Sequence, residues 1–312
     1  MQGRAERQGA FYCLLAAMAW GTTGTAASFA PEVSAVAIGA AAMGFGGICQ
    51  ALWAGRGIWV YRRDLARAWP LLALGALAIA IYPLAFYGSM RLAGVTMGTV
   101  VSIGAAPICS AMIERAIDGR ALSLDWAIGA TLGLAGIACL AFGESSAGIA
   151  GADEQILPGI ALGLLAAASY AFYSWVARRL MLGGLPTKIA MGACFGLGGL
   201  ALMPVLGLSG AAFLQSWGHI AVGAYMALVP MFLGYLAFGA GLARAPVRLA
   251  TTVTLAEPVV AAGLALLILG ERLSGLAWCG VALVAACLLW TSWPKRRSGA
   301  GAPVGHCRGA GR

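Results

Sequence analysis

Leu164-Leu165-Ala166-Ala167-Ala168-Ser169-Tyr170 reads as a second copy of Leu14-Leu15-Ala16-Ala17-Met18-Ala19-Trp20, 150 residues earlier. The match does not stand alone. Leu84-Ala85-Phe86 returns as Leu236-Ala237-Phe238, Thr99 and Ser102 as Thr251 and Thr254, Pro107 as Pro258, and Leu122-Ser123 as Leu273-Ser274. These four offsets are 152, 152, 151 and 151 residues. In a chain rich in Ala and Leu any one pair is weak. A nearly constant offset across five marks a duplicated unit.

The composition says what kind of unit it is. Of 312 residues, 61% are hydrophobic and 10% charged. A soluble domain is about a quarter charged, so this chain could not cover a water-facing surface. Disorder needs low hydrophobicity, and the 46 Gly follow no three-residue period. An integral membrane protein remains. A span takes ~20 apolar residues, and hydropathy with its breakers predicts ten: about 10–30, 34–54, 69–90, 94–113, 122–142, 158–177, 189–208, 219–241, 247–269 and 275–293. All are predicted to be helices, because lipid leaves only helices or closed barrels and period-2 alternation is absent. The predicted layout is an N-terminal tail (1–9), a first five-helix repeat (10–142), a linker (143–157), a second repeat (158–293) and a basic tail (294–312). Ala27-Ser28-Phe29-Ala30 resembles a signal-peptidase site, but the repeat mate of the first segment argues for a retained span.

The ten-span map places 18 of the 20 Lys and Arg on one side, leaving only Arg91 and Arg272 on the other. The side rich in Lys and Arg is cytoplasmic, so both termini are expected in the cytoplasm of a bacterial inner membrane. The net charge of +9 is spread over loops and tails rather than one basic domain, which argues against nucleic acid. Seven of the eight Cys fall inside apolar segments and none has metal-ligand spacing; nothing calls for a metal or cofactor. Five spans per half is an odd number, so the halves enter the membrane from opposite sides. Such inverted repeats are the architecture of many secondary transporters, which rock one half against the other around a central cavity.

Trp20-Gly21, Pro107, Glu257-Pro258 and Leu269-Gly270-Glu271-Arg272-Leu273 resemble the EamA-type branch of the drug/metabolite transporter superfamily over residues 10–293. Within the branch the chain is most similar to bacterial aromatic amino-acid exporters. It departs at Asp118-Gly119-Arg120, where the family often has a Gly-Glu-like turn. The resemblance implies ten helices around a cavity and export of small metabolites from the cytoplasm.

Glu257 is the most informative residue. It lies nine residues after Arg248 and 14 before Glu271 in an apolar run, roughly 13 Å and 21 Å from the two ends at ~1.5 Å per residue. A carboxyl group at that depth is costly and defaults to a functional reading: it takes a substrate ammonium, carries a coupling proton, or only packs helices. Thr254 and Thr251 sit one and two turns earlier, mirrored by Ser102 and Thr99. These hydroxyls can bind a polar head or bond back to their own helix. Pro107 and Pro258 are equivalent in the two repeats and mark candidate hinges. Trp20, Tyr82, Phe86, Tyr170, Tyr173 and Phe238 are aromatics deep in spans and suit an apolar cavity with few polar anchors. Gly129-x-x-x-Gly133, Gly159-x-x-x-Gly163 and Gly192-x-x-x-Gly196 allow close helix approach, within one bundle or between two copies.

The expected partners are a small-molecule substrate, amino acids first, and the lipid bilayer, with a monomer as default and a dimer open. Drugs, nucleosides and other small amphiphiles are the alternative cargo. An intramembrane serine protease is the remote alternative: Gly207-Leu208-Ser209-Gly210 is followed by His219, and such chemistry needs the two in hydrogen-bond reach. No Gly-x-x-x-x-Gly-Lys-Ser/Thr loop is present for an ATP-driven pump.

Overall fold

The computed structural model describes residues 2–93, 95–144, 153–269 and 273–292, and among them there is no strand. The first half holds α1 (Gln2–Gly21), α2 (Thr23–Ala27), α3 (Ala35–Ala54), α4 (Arg56–Val60), α5 (Arg62–Arg67), α6 (Trp69–Ala93), α7 (Val95–Gly104), α8 (Ala106–Asp118) and α9 (Leu124–Glu144). The second half holds α10 (Asp153–Leu182), α11 (Thr187–Ser209), α12 (Trp217–Met226), α13 (Tyr235–Leu242), α14 (Val247–Val253), α15 (Glu257–Leu264) and α16 (Gly275–Ser292). A wide π-helical segment, Ala227–Gly234, joins α12 to α13, and a 3-10 turn, Thr254–Ala256, joins α14 to α15.

Local chemistry sets the boundaries, often in repeat-equivalent pairs. Ser123 Oγ accepts from the Trp126 N–H at 3.2 Å, and its mate Ser274 accepts from the Ala277 N–H at 3.2 Å; each satisfies an orphan donor at a helix start. Pro107 and Pro258 lie in the first turns of α8 and α15. A proline has no N–H to give, so it is accommodated where a helix starts anew, and both long helices are interrupted just before it. The first span differs from its predicted 10–30. Helix runs from Gln2 through Arg4 and Arg7, all good helix formers, and stops at Gly21; after Thr22 a short separate helix, α2, follows. The predicted tail 1–9 is therefore helical from Gln2. The Leu269–Leu273 motif, the linker and the C-terminal tail fall wholly or partly outside the described residues.

Seven stretches are long and apolar enough to cross a membrane: Ala35–Ala54, Trp69–Ala93, Gly98–Asp118, Ile156–Leu182, Thr187–Gln215, Trp217–Leu242 and Val247–Ile268. Leu124–Leu140 and Gly275–Thr291 are shorter apolar helices. Their outer faces carry bare apolar side chains, Leu52, Leu124, Leu208 and Leu267 each more than 70% exposed. Water would not tolerate that surface; hydrocarbon does. Trp53, Trp59, Trp69, Trp217 and Trp278 are also more than half exposed near helix ends, as interfacial anchors are.

The packing respects the duplication. α3 lies along α11 and α9 along α16, each a helix on its own repeat mate; α6 lies along α10 as α13 lies along α1. Small residues bring the backbones together. A Cβ on Gly192 would stand 2.8 Å from Gln50 O, one on Gly199 2.6 Å from Gly44 O, and one on Gly280 2.6 Å from Gly136 O. Nothing larger fits there. The three predicted small-residue motifs all serve contacts within the chain: Gly129 faces Thr291, Gly159 faces Ala93, and Gly192 faces Ala54 and Gln50.

Candidate functional site

The helical interruptions enclose a cavity of about 500 Å³. Its walls come from the ends of α1, α6 and α9, α2, the start of α3, α7, the middle of α10, the π-helical segment, the start of α13 and α15. Trp20, Tyr82, Phe86, Thr99, Tyr170, Glu257 and Pro258, all expected from the sequence, line it. Trp20 and Tyr170 are repeat mates and meet edge to face, ring centroids 6.2 Å apart at 82°. Tyr82 stacks on Phe86 at 5.8 Å and tilts against Tyr170 at 5.8 Å. The cavity reaches the surface at exposed Gly24.

Glu257 begins α15 and is half-buried against the cavity. No hydrogen bond or ion pair from the described residues reaches its carboxyl. It is the only Asp, Glu, Lys, Arg or His among the described lining residues.

The other expected residues lie behind this wall. Thr254 is buried and shares a 3.0 Å hydrogen bond with Tyr170 Oη, fixing that ring. Thr251 Oγ1 donates to Ser110 Oγ at 3.1 Å and stands 3.0 Å from Val247 O. Tyr173 is buried and hydrogen-bonds Tyr235 Oη at 2.7 Å. Phe238 packs on Trp20 at 5.2 Å and Tyr170 at 5.8 Å. Ser102 is buried, its Oγ without a partner among the described residues. Pro107 is buried and outside the lining. Thus the mirrored hydroxyl stripe is split: Thr99 faces the cavity, while Ser102, Thr251 and Thr254 do not.

Sequence reasoning missed Tyr87, Tyr235, Met43, Met90 and Met231 in the lining. Pro83, Tyr87 and Met90 share one stripe at helical spacing, the signal that could have found two of them. It also missed Gln50, and the second task of Trp20: both side chains serve the π-helical segment. Trp20 Nε1 donates to Pro230 O at 2.9 Å, and Gln50 Nε2 donates to Met231 O at 3.3 Å. Wide turns of this kind commonly sit at functional sites because they turn carbonyls outward.

The opposite end of the bundle is shut. α8 packs against α14, and Ser110 meets Thr251 across the halves. Buried Glu114 accepts from the Val247 N–H at 2.7 Å, and its second oxygen is 3.5 Å from Arg248 Nε. Arg178 donates to Leu242 O and Ala245 O. Asp118 takes Trp175 Nε1 at 3.0 Å and pairs with Arg179 at 3.4 Å. At the repeat-equivalent end, the cavity lies between α7 (Thr99, Ile103) and α15 (Glu257, Pro258).

The serine-protease constellation is not assembled. Ser209 Oγ donates to Val205 O at 2.8 Å within its own helix, while the His219 ring engages Ala212 O at 2.9 Å and Glu32 at 3.1 Å. Among the described residues the serine therefore has no imidazole base.

Comparison with known proteins agrees with this architecture. A solved crystal structure, 21% identical, covers 90% of this chain and 95% of its own with a TM-score of 0.70, a likeness of fold. A Bacillus subtilis (strain 168) protein described as the uncharacterized transporter YwfM is 31% identical over 290 residues, covering 92% of this chain and 94% of its own length. Residues 7–142 and 157–293 each match the EamA-like transporter family, one match per half. With both repeats carrying that signature, the chain belongs to the EamA-like transporter family and is a multi-pass membrane protein.

Proposed function

We propose that this protein is a secondary transporter that exports small metabolites, amino acids with aromatic or apolar side chains first among them, by alternating access of two inverted five-helix repeats. The observation that carries the reading is the unequal pair of ends: α8 closed on α14, and α7 and α15 facing each other across a cavity. Exchanging the two halves would close the second end and open the first. Ten spans follow if the seven long stretches, the two shorter apolar helices and α1 all cross. Both termini then lie in the cytoplasm of a bacterial inner membrane, and the cavity opens to the outside.

In this reading Glu257 holds the substrate's ammonium group or a coupling proton. The aromatic wall takes the side chain, and Pro107 and Pro258 mark the joints at which the helix segments re-angle. Drugs, nucleosides or other small amphiphiles are the second reading, and the single carboxyl group among the described lining residues favours the cationic ones.

The test is uptake of radiolabelled Phe, Trp and Met into liposomes holding the purified protein, with and without a pH gradient. Flux that competes with unlabelled amino acid is expected, and Glu257→Gln should lower it at least tenfold while the protein stays inserted and monodisperse. Unchanged flux in that variant removes the role given to Glu257. No flux of any amino acid removes the proposed cargo.

A further inference from the structure

The charge of the cavity lining is one-sided. Among the described residues facing it there is a single carboxyl group, Glu257, and no Arg, Lys or His; Arg91 is exposed in the last turn of α6, outside the lining. Six rings surround the space: Trp20, Tyr82, Phe86, Tyr87, Tyr170 and Tyr235. Ring faces attract cations through their quadrupole, most strongly when water is excluded. The carboxyl group has no partner from the described residues, so an incoming cation would be its first. Both elements therefore address positive charge.

Among the described lining residues no cationic side chain answers a negative one. A zwitterionic amino acid brings its own carboxylate into the same space. The hydroxyls of Thr23, Thr25 and Thr99 can hydrogen-bond it, but no described lining side chain neutralises it. An anion taken from water without a countercharge in the site is penalised heavily. Deleting the substrate carboxylate, or esterifying it, keeps the ring and the ammonium group and removes the mismatch.

We propose that the cavity selects net-cationic aromatic amines over zwitterionic amino acids bearing the same ring. This rests on the cavity being the transport site and sharpens the second, cationic reading of its cargo. The distinguishing feature, among the described lining residues, is the juxtaposition of an unpaired carboxyl group with six rings and no basic side chain.

The experiment is calorimetric titration of the full-length protein in nanodiscs with four probes that share a phenyl ring. They are phenylalanine, its methyl ester, trimethyl(phenethyl)ammonium and N-acetylphenylalanine. The ester and the quaternary cation should bind at least tenfold more tightly than phenylalanine, and the N-acetyl anion should bind most weakly. In Glu257→Gln the two cations should lose at least tenfold, narrowing the gap. Phenylalanine binding as tightly as its ester overturns the proposal and leaves the amino-acid reading intact. If none of the four binds and no amino acid moves in liposomes, the cavity is not the transport site and both fall. The comparison among ligands on the unaltered protein decides the question even if the variant fails to fold.

Discussion

Trp20 does three things at once. It lines the cavity, meets its repeat mate Tyr170, and spends its only polar atom on Pro230 O, a carbonyl of the π-helical segment. Trp20→Phe keeps a ring in place but removes the donor. The loss should be about 1 kcal/mol for a buried hydrogen bond, read as a lower unfolding midpoint in detergent, with flux reduced less than in Glu257→Gln. An unchanged midpoint would show that the indole bond does not hold the segment. At this scale the sequence was a partial guide. Glu257 and Trp20 announced themselves, one by charge in an apolar run and the other by its repeat mate. Tyr235 did not, because its counterpart at an offset of 152 is Pro83, and Tyr87 did not, because its counterpart is Gly239. A search by internal symmetry cannot find residues at which the two copies have diverged.

Between elements, the decisive contacts are those that join α8 to α14. Glu114 is 1% exposed and bridges the halves through the Val247 N–H and Arg248. Removing one partner of a buried polar pair leaves the other uncompensated. Glu114→Ala should therefore loosen the closed end. With the other cysteines replaced, Ser110→Cys should react with a maleimide at least fivefold faster in that variant, since Ser110 is fully buried in the parent. Equal rates would mean that Glu114 does not hold the end shut. The interruptions were legible, because Pro107 and Pro258 each carry a physical reason to restart a helix. Glu114 was not: beside Arg115 and near Asp118 it reads like an ordinary charge at a helix end. Only the fold brings Val247, 133 residues away, against it.

Across the whole molecule, the duplication set out most of the plan from the sequence. The all-helical membrane architecture follows from composition and hydropathy, and the offset of about 151 residues identifies which helices are equivalent. The pairing of α3 with α11 could not be read, since it rests on glycine faces that look alike throughout the chain. A reporter enzyme that is active only outside the membrane should stay inactive when fused after Arg312 and become active when inserted at Gly148; the reverse pattern would invert the proposed orientation. The closed end also has a thermodynamic consequence. The repeat mate of Glu114 at an offset of 151 is Ala265, so the carboxylate catch of the closed end has no equivalent at that position when the halves exchange roles. In the proposed alternating-access cycle the two conformers would be unequally latched, and the unloaded protein would rest with its cavity turned away from its termini. If the alternative conformer holds about 1% of the molecules, a ligand arriving on the termini side binds about a hundredfold more weakly than its contacts alone would give. One pocket would then display two apparent affinities, set by the face from which it is approached.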